Sequence, residues 1–279
     1  MQTDYPSKCG GTRLKEISAR LNGEFPLVTV ITAVFNGEAF LEKCIESVLN
    51  QDYPNLEHII LDGGSTDGTV EILRKYEDRI ALWISEPDAG VYDAWNKGLD
   101  HARGEWISFL GADDEYLPGA ISAYMNLARE YPHADHLSSP IYLLHPNGFL
   151  RTLGSPWTWP RFSRVMCSIH VGSMHSSRLF DKYGRFDTSY RITGDYEFLL
   201  RPRADLQSAF LPVVTVCMRV GGVSDSTAAL HEAYRAKVQT GGRRKTSALI
   251  ELWISLVKYK ARRILYRIRS HRTSPHAIS

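Results

Sequence analysis

Residues 28–69 read VTVITAVFNGEAFLEKCIESVLNQDYPNLEHIILDGGSTDGT, and their hydrophobic period switches twice. The run over 27–35 (LVTVITAVF) is continuously apolar and β-branched, the pattern of a strand buried on both faces of a parallel sheet. Asn36-Gly37 ends it. Helical spacing follows over 38–50, where Phe40, Leu41, Cys44, Ile45, Val48 and Leu49 share one face. A second strand is predicted over 56–61, closed by the turn-rich segment 62–68. Working outward, helix 69–76, strand 80–85, helix 91–102 and strand 106–110 continue the alternation to Gly111-Ala112-Asp113-Asp114. This order predicts a doubly wound α/β sheet, in which ligands sit at the carboxyl ends of the strands.

The second half is less regular. A helix over 119–129, a strand near 137–144, short helices over 178–183 and 196–201, and a strand over 210–220 are predicted. The segment PWTWP (156–160) reads as a rigid loop with two aromatic faces. Residues 1–24 read as a flexible lead-in broken by Gly10-Gly11 and Asn22-Gly23.

Charge is unevenly spread over the 279 residues. The net formal charge is +2, yet residues 241–279 hold ten basic groups and one acid, Glu251, a local +9. Residues 1–240 hold 23 basic and 30 acidic groups, so the body carries −7. An acidic body argues against nucleic acid as a partner and isolates one basic appendage. Four scattered cysteines without a Cys-x-x-Cys pair point away from a zinc site and a disulfide scaffold. The N-terminus lacks the apolar core of a signal peptide, and no run reaches the ~18 apolar residues that span a bilayer. A cytoplasmic location, peripheral at the inner face of the membrane, is the expectation.

The chemistry-bearing residues are acids at strand ends. Asp62 ends the second strand and Asp113-Asp114 the fourth, with Asp195 and Glu197 in the second half. Asp67 in STDGT reads as a helix cap. Two adjacent carboxylates after an apolar strand repel each other, and a hard cation relieves that repulsion. Mg²⁺ or Mn²⁺ takes one or two protein carboxylates and completes its shell with phosphate and water.

Residues 28–69, together with SEPDAGVYDAWNKGLDHARGEWISFLGADD (85–114), resemble the nucleotide-sugar-binding half of a family 2 inverting glycosyltransferase with the GT-A fold. GRFDTSYRITGDYEFLLR (184–201) resembles that family's acceptor-side motif, which ends in the catalytic acid. The likeness covers residues 26–222 and is to bacterial enzymes building surface polysaccharide. It implies one α/β GT-A domain over 25–222, divided into a nucleotide-sugar half (25–115) and an acceptor half (116–222). A basic amphipathic helical tail over 223–279 follows.

By resemblance, Thr32, Ala33, Val34 and Phe35 border the nucleoside, Asp62 is the first donor-site acid, Asp114 and Asp113 carry the metal motif, and Asp195 is the general base. Two departures stand out. Gly63 replaces the second acid that often contacts the base, leaving GDP- and dTDP-sugars open beside the favoured UDP-sugar. Gly111 replaces the frequent first acid of the metal motif. The absence of Gln-x-x-Arg-Trp points to transfer of a single sugar.

Secondary candidates carry two readings each. Asp88, Tyr92 and Asn96 contact the donor, or Asp88 caps a helix while Tyr92 packs. His170, with His175 nearby, serves the acceptor side or packs. Trp157 and Trp159 stack on an acceptor sugar or fill the core. Glu197 joins the acceptor group. In the tail, Leu249, Trp253, Val257, Ala261, Ile264 and Ile268 form one stripe, with Lys260, Arg263 and Arg267 beside it and Lys258, Arg262 and Arg269 on another face. This helix packs on the body, or rests on anionic lipid, which suits a lipid-linked acceptor. The competing functions are a nucleotidyltransferase on a similar sheet and a membrane-docked binding protein without turnover.

Overall fold

The computed structural model describes residues 8–14, 25–221 and 225–272, with side chains described as far as Arg263. The first part runs β1 (Cys9–Gly10), β2 (Val28–Val34), α1 (Leu41–Leu49), β3 (Leu56–Asp62), α2 (Thr69–Lys75), β4 (Leu82–Ser85), α3 (Val91–His101) and β5 (Trp106–Gly111). β2, β3, β4 and β5 lie parallel in the order β4-β3-β2-β5, so the chain steps outward from β2 and then returns to its other side. That reversal makes the β2–β5 edge the topological switch point. Register sets Val34 opposite Asp62, Asp62 opposite Ser85, and Ala33 opposite Gly111. The carboxyl ends of all four strands therefore form one rim. The doubly wound α/β architecture expected from the alternation is present.

The core explains the apolar runs. Ile31, Ile59, Leu61, Ile84 and Phe109 pack below α3, while Val28, Val30, Trp106 and Leu110 pack on the opposite face with Cys44 and Val48 of α1. Complete burial of such a side chain contributes ~1.5–3 kcal/mol.

The second half continues through β6 (Glu115–Tyr116), α4 (Ala120–Glu130), β7 (His136–Ser138), β8 (Ile141–Leu144), β9 (Leu150–Leu153), α5 (Trp159–Phe162), β10 (Ser173–Ser176), α6 (Ser177–Tyr183), α7 (Gly194–Leu200), β11 (Ser208–Phe210) and β12 (Val216–Arg219). The main sheet extends as β5-β10-β7-β11, and a second sheet has the order β6-β12-β8-β9. Each of the two long strands expected here divides between the sheets. Pro140 separates β7 from β8, and Pro212 lies between β11 and β12, because proline supplies no N–H to a ladder. The PWTWP segment is not wholly irregular: Trp159 and Pro160 begin α5, where a first-turn proline is tolerated.

The lead-in over 1–24 needs a correction for residues 8–14; the rest lies outside the described residues. Cys9 and Gly10 pair antiparallel with Ile84 and Trp83, covering the outer edge of β4. The Arg13 guanidinium pairs with Glu57 and donates to the His101 carbonyl at 2.7 Å. After residue 225 come α8 (Thr227–Gln239) and α9 (Lys245–Arg272). Ser226 Oγ accepts from Ala229 N at 3.2 Å and caps α8, and Glu251 of α9 bridges Lys237 and Arg243.

His170 lies buried between aromatic rings, stacked on Phe109 with centroids 5.1 Å apart and 4.9 Å from Trp95. Neither of its ring nitrogens has a hydrogen-bond partner among the described residues. Burial pushes the pKa of His58 down to about 3 and that of His175 to about 4, and moves those of His136 and His170 well below the usual imidazole range. The native state thus binds fewer protons than the unfolded chain below about pH 6.5. This stability is complete above that pH and declines as pH falls, at up to ~1.4 kcal/mol per pH unit for each histidine. Thermal melts are expected to show midpoints dropping steeply between about pH 6.5 and 4.5. His170→Phe should leave the neutral-pH midpoint equal or higher and flatten the acid decline. An unchanged acid slope would remove His170 from this account.

Candidate active site

The rim of the parallel sheet holds the predicted acids. Asp62 is 2% exposed, and its carboxylate accepts from Ser85 Oγ at 2.7 Å and from Ser65 N and Oγ. The loops after β2 and β3 are joined by further bonds. Asn36 N donates to Ser65 Oγ at 2.7 Å, Thr66 N to Asn36 Oδ1 at 2.9 Å, and Glu38 N to Asp67 Oδ2 at 3.1 Å. Asp67 also accepts from Thr69 N, forming the turn that leads into α2, whose N-cap residue is Gly68.

Asp113 and Asp114 converge above Gly111. A Cβ at position 111 would lie 2.6 Å from Asp114 Oδ2 and 3.1 Å from Asp113 Oδ1, so the residue must be glycine for both carboxylates to sit there. Burial first, and then the Asp113 charge, push Asp114 up to about 7. Arg219 N donates to Asp114 Oδ1 at 3.2 Å, and the Arg219 side chain bonds Glu115 at 2.9 Å and lies over the Phe40 ring. A mutually repelling carboxylate pair, Asp114 buried and Asp113 half-buried, suits one divalent cation. No cluster of three or more His, Cys, Asp or Glu ligands occurs among the described residues, so the rest of the shell would be phosphate and water.

At Gly63, a Cβ would meet Asp88 Oδ2 at 2.6 Å. The Asp88 carboxylate thus fills the space that a side chain at 63 would claim. It also accepts from Gly90 N at 2.8 Å, forming the turn into α3. The N-cap of α3 is Gly90, so Asp88 shapes the turn ahead of the helix rather than capping it.

A cavity of about 430 Å³ opens between the start of α3 (Gly90 to Asp93) and the loop bearing Thr188, Tyr190, Arg191 and Ile192. Tyr92 lines it and donates its hydroxyl to Asp195 Oδ1 at 3.1 Å. Asp195 is half-buried on the first turn of α7. Desolvation pushes it up to about 6, opposed by the N–H of Tyr196 and the Tyr92 hydroxyl. Burial and the Asp195 charge raise the Tyr92 hydroxyl, which keeps it a donor.

Other predicted residues lie elsewhere. Thr32 and Val34 are buried in β2, with Thr32 Oγ1 3.0 Å from His58 Nε2, so at these two positions only the backbone faces the rim. Phe35 is 65% exposed and Ala33 half-buried, which leaves these two at the rim. Asn96 is a latch: it donates to Phe186 O at 2.9 Å and accepts from Phe186 N at 3.0 Å. Glu197 is buried and bound to Arg201 at 2.6 Å and to Thr240 at 2.9 Å, a structural pairing away from solvent. His170 is buried among the rings of Trp95, Phe109 and Phe186, while Trp157 and Trp159 are half-buried and pack against the main core cluster, Trp157 on Phe162. Packing takes up the Asn96 amide, the Glu197 carboxylate and the His170 ring. Arg219, Ser65 and Ser85 were not anticipated, because a lone arginine or serine at a strand end carries no signal until pairing brings it beside an aspartate.

The sequence profile described as Glycosyl transferase family 2 matches residues 29–168. An uncharacterised glycosyltransferase of Mycobacterium tuberculosis is 34% identical over 185 residues, covering 63% of this chain and 68% of its own length. The chain belongs to glycosyl transferase family 2 and is a glycosyltransferase. Solved structures agree on a GT-A-like fold. Staphylococcus aureus TarS 1–349 in complex with UDP-GlcNAc has a TM-score of 0.61 at 16% identity, covering 81% of this chain and 70% of that one. This chain spans 41% of a longer TarS structure. The mannosyltransferase PcManGT of Pyrobaculum calidifontis, in complex with GDP-Man and Mn²⁺, has a TM-score of 0.57 at 19% identity, covering 85% and 76%.

Tyr92→Phe tests the central hydrogen bond. Loss of a donor to the ionised carboxylate should raise the pKa of Asp195 above about 6, by up to ~1 unit. A carbon-detected NMR titration of labelled aspartate reads this directly. A value unmoved or lowered would show that the bond contributes nothing to the carboxylate's charge state.

Proposed function

We propose that this enzyme transfers one sugar, with inversion, from a nucleotide diphospho-sugar to a saccharide or lipid-linked saccharide acceptor in bacterial surface-polysaccharide synthesis. The observation that carries the reading is Asp195, a half-buried carboxylate bonded to Tyr92 at the wall of a cavity facing α3. With a pKa raised to about 6, it is ionised at neutral pH and still basic enough to take a proton late in attack.

The acceptor hydroxyl gives its proton to Asp195 while its oxygen bonds to the anomeric carbon. The bond from that carbon to the donor's diphosphate oxygen breaks in the same step, and its electron pair leaves with the nucleoside diphosphate. One displacement inverts the centre. Asp114, with Asp113, would hold Mg²⁺ or Mn²⁺, whose chemistry is neutralisation of charge on the diphosphate. Asp62 and Asp88 lie on the donor side of the rim, and Phe35 offers an exposed ring to the nucleoside. A UDP-sugar remains the favoured donor. The fold likeness to TarS with UDP-GlcNAc supports that choice, and the likeness to PcManGT with GDP-Man keeps GDP-sugars open.

The tail reads as a lipid contact at the cytoplasmic face of the membrane. In α9, Ala248 is buried against the body, while Leu249, Ile250, Trp253, Ile254 and Val257 are exposed on one side. Lys258, Lys260, Arg262 and Arg263 follow, all exposed. No described helix is long and apolar enough to cross a membrane. An exposed apolar stripe beside cations suits an interfacial helix, with ~1 kcal/mol from each near-surface cation. The side chains of Ile264, Arg267, Ile268 and Arg269 lie outside the described ones.

Two measurements bear on this reading. Asp195→Asn should lower Mn²⁺-supported turnover at least ~10³-fold while calorimetry still detects donor binding. Near-normal rates in that variant would sink the base assignment. Trp253→Ser combined with Lys258→Glu and Lys260→Glu should abolish co-sedimentation with anionic phosphatidylglycerol vesicles and leave donor binding intact. Equal sedimentation of variant and parent would exclude the lipid contact.

A further inference from the structure

The loop that carries the cavity wall into Asp195 is anchored from outside the family-matched region. Glu232 of α8 accepts three consecutive backbone N–H groups: Arg191 N on Oε1 at 3.0 Å, and Ile192 N at 2.9 Å and Thr193 N at 3.0 Å on Oε2. The next two residues are Gly194 and Asp195, which open α7. Arg191 and Ile192 are themselves part of the cavity lining. One helical turn along α8, Arg235 donates to Ser189 Oγ at 2.9 Å and lies 3.6 Å over the Tyr190 ring. Ala236, fully buried, joins the core cluster that contains Tyr196, Phe198 and Leu199 of α7.

We infer that Glu232 is a positioning residue for the transfer: its carboxylate gathers the 191–193 amides and so sets where α7 presents Asp195. This rests on the reading of Asp195 as the base. The three amides lie in the loop that ends at Thr193, the N-cap residue of α7, and their acceptor is an anion supplied by a separate helix. Both carboxylate oxygens are in use. A glutamine offers one acceptor oxygen, and its NH₂ would face an N–H, donor against donor. Only a charged, two-oxygen group satisfies all three amides.

The same charge acts on Asp195. The groups facing that carboxylate are the Tyr92 hydroxyl from α3, the Tyr196 N–H on its own helix, and the Glu232 charge from α8. Burial is the largest cause of its raised pKa, and the Glu232 charge adds in the same direction. Removing the charge therefore lowers the pKa of Asp195, and the acid limb of the rate profile moves to lower pH. A purely structural anchor would change stability without moving that limb in a charge-dependent way.

The test compares Glu232→Gln and Glu232→Asp in the full chain. The readouts are Mn²⁺-supported release of UDP from UDP-GlcNAc or of GDP from GDP-mannose, and amide hydrogen exchange at residues 191–193. Glu232→Gln is expected to lower kcat at least ~10-fold at pH 8, leave donor KM within about twofold, shift the acid limb downward and speed exchange at the three amides. Glu232→Asp, charged but one methylene shorter, should lower kcat while keeping the limb near its parental position. Unchanged exchange at 191–193 in folded Glu232→Gln, or a parental kcat and limb, overturns the inference. Asp195→Asn run alongside separates the two claims. If it keeps turnover, the base reading falls; if it loses turnover while Glu232→Gln does not, only the positioning role falls.

Discussion

The pairing of β2 with β3 on one side and β5 on the other is the constraint on which the site depends. Because the three strands run parallel in register, Asp62, Val34 and Gly111 finish at the same level of the sheet. Two loops then leave the rim together and are tied by Asn36, Ser65 and Asp67. Slippage of one residue would exchange the two faces of β2, trading Ile31 for Val28 and Val30 between the two cores and moving the strand's end away from Asp62 and Gly111. The apolar run that makes β2 a central strand is thus also what aligns the acids.

Two glycines sharpen the chemistry at that rim. In the family pattern, positions 63 and 111 often carry acids; here each is vacated and the space is taken by a neighbouring carboxylate. Asp88 moves over Gly63, and Asp113 and Asp114 close over Gly111. A side chain at either position would collide with the carboxylate now seated there.

The C-terminal helices are joined to the catalytic half rather than appended to it. Glu232 and Arg235 hold the loop before α7, and Thr240 closes on Glu197. Glu251 in turn locks α9 to α8 through Lys237 and Arg243. The element that offers an exposed apolar face to its surroundings is therefore two ion pairs away from the helix that anchors the base. The exposed apolar face of α9 and the loop before Asp195 share one support in α8.

Local pattern was enough for the first four strands of the alternation, their helices and the acids at their ends. Apolar period and turn residues act over a few positions, and a parallel α/β sheet rewards both directly. The same signals read 137–144 and 210–220 as single strands, since nothing local says which sheet each half joins. Asn96 looked available because its partner, Phe186, is 90 residues away, and Glu197 because its second partner, Thr240, is 43 residues away although Arg201 lies one helical turn along. The sequence by itself determined the sheet, its carboxyl rim and the set of acids, all properties of short-range periodicity. Only the tertiary structure decided that Tyr92 meets Asp195, that Gly111 cradles two carboxylates and that Glu232 anchors the catalytic loop. Those contacts close across 103, 3 and 40 residues, respectively, and the two long ones form only when helices pack.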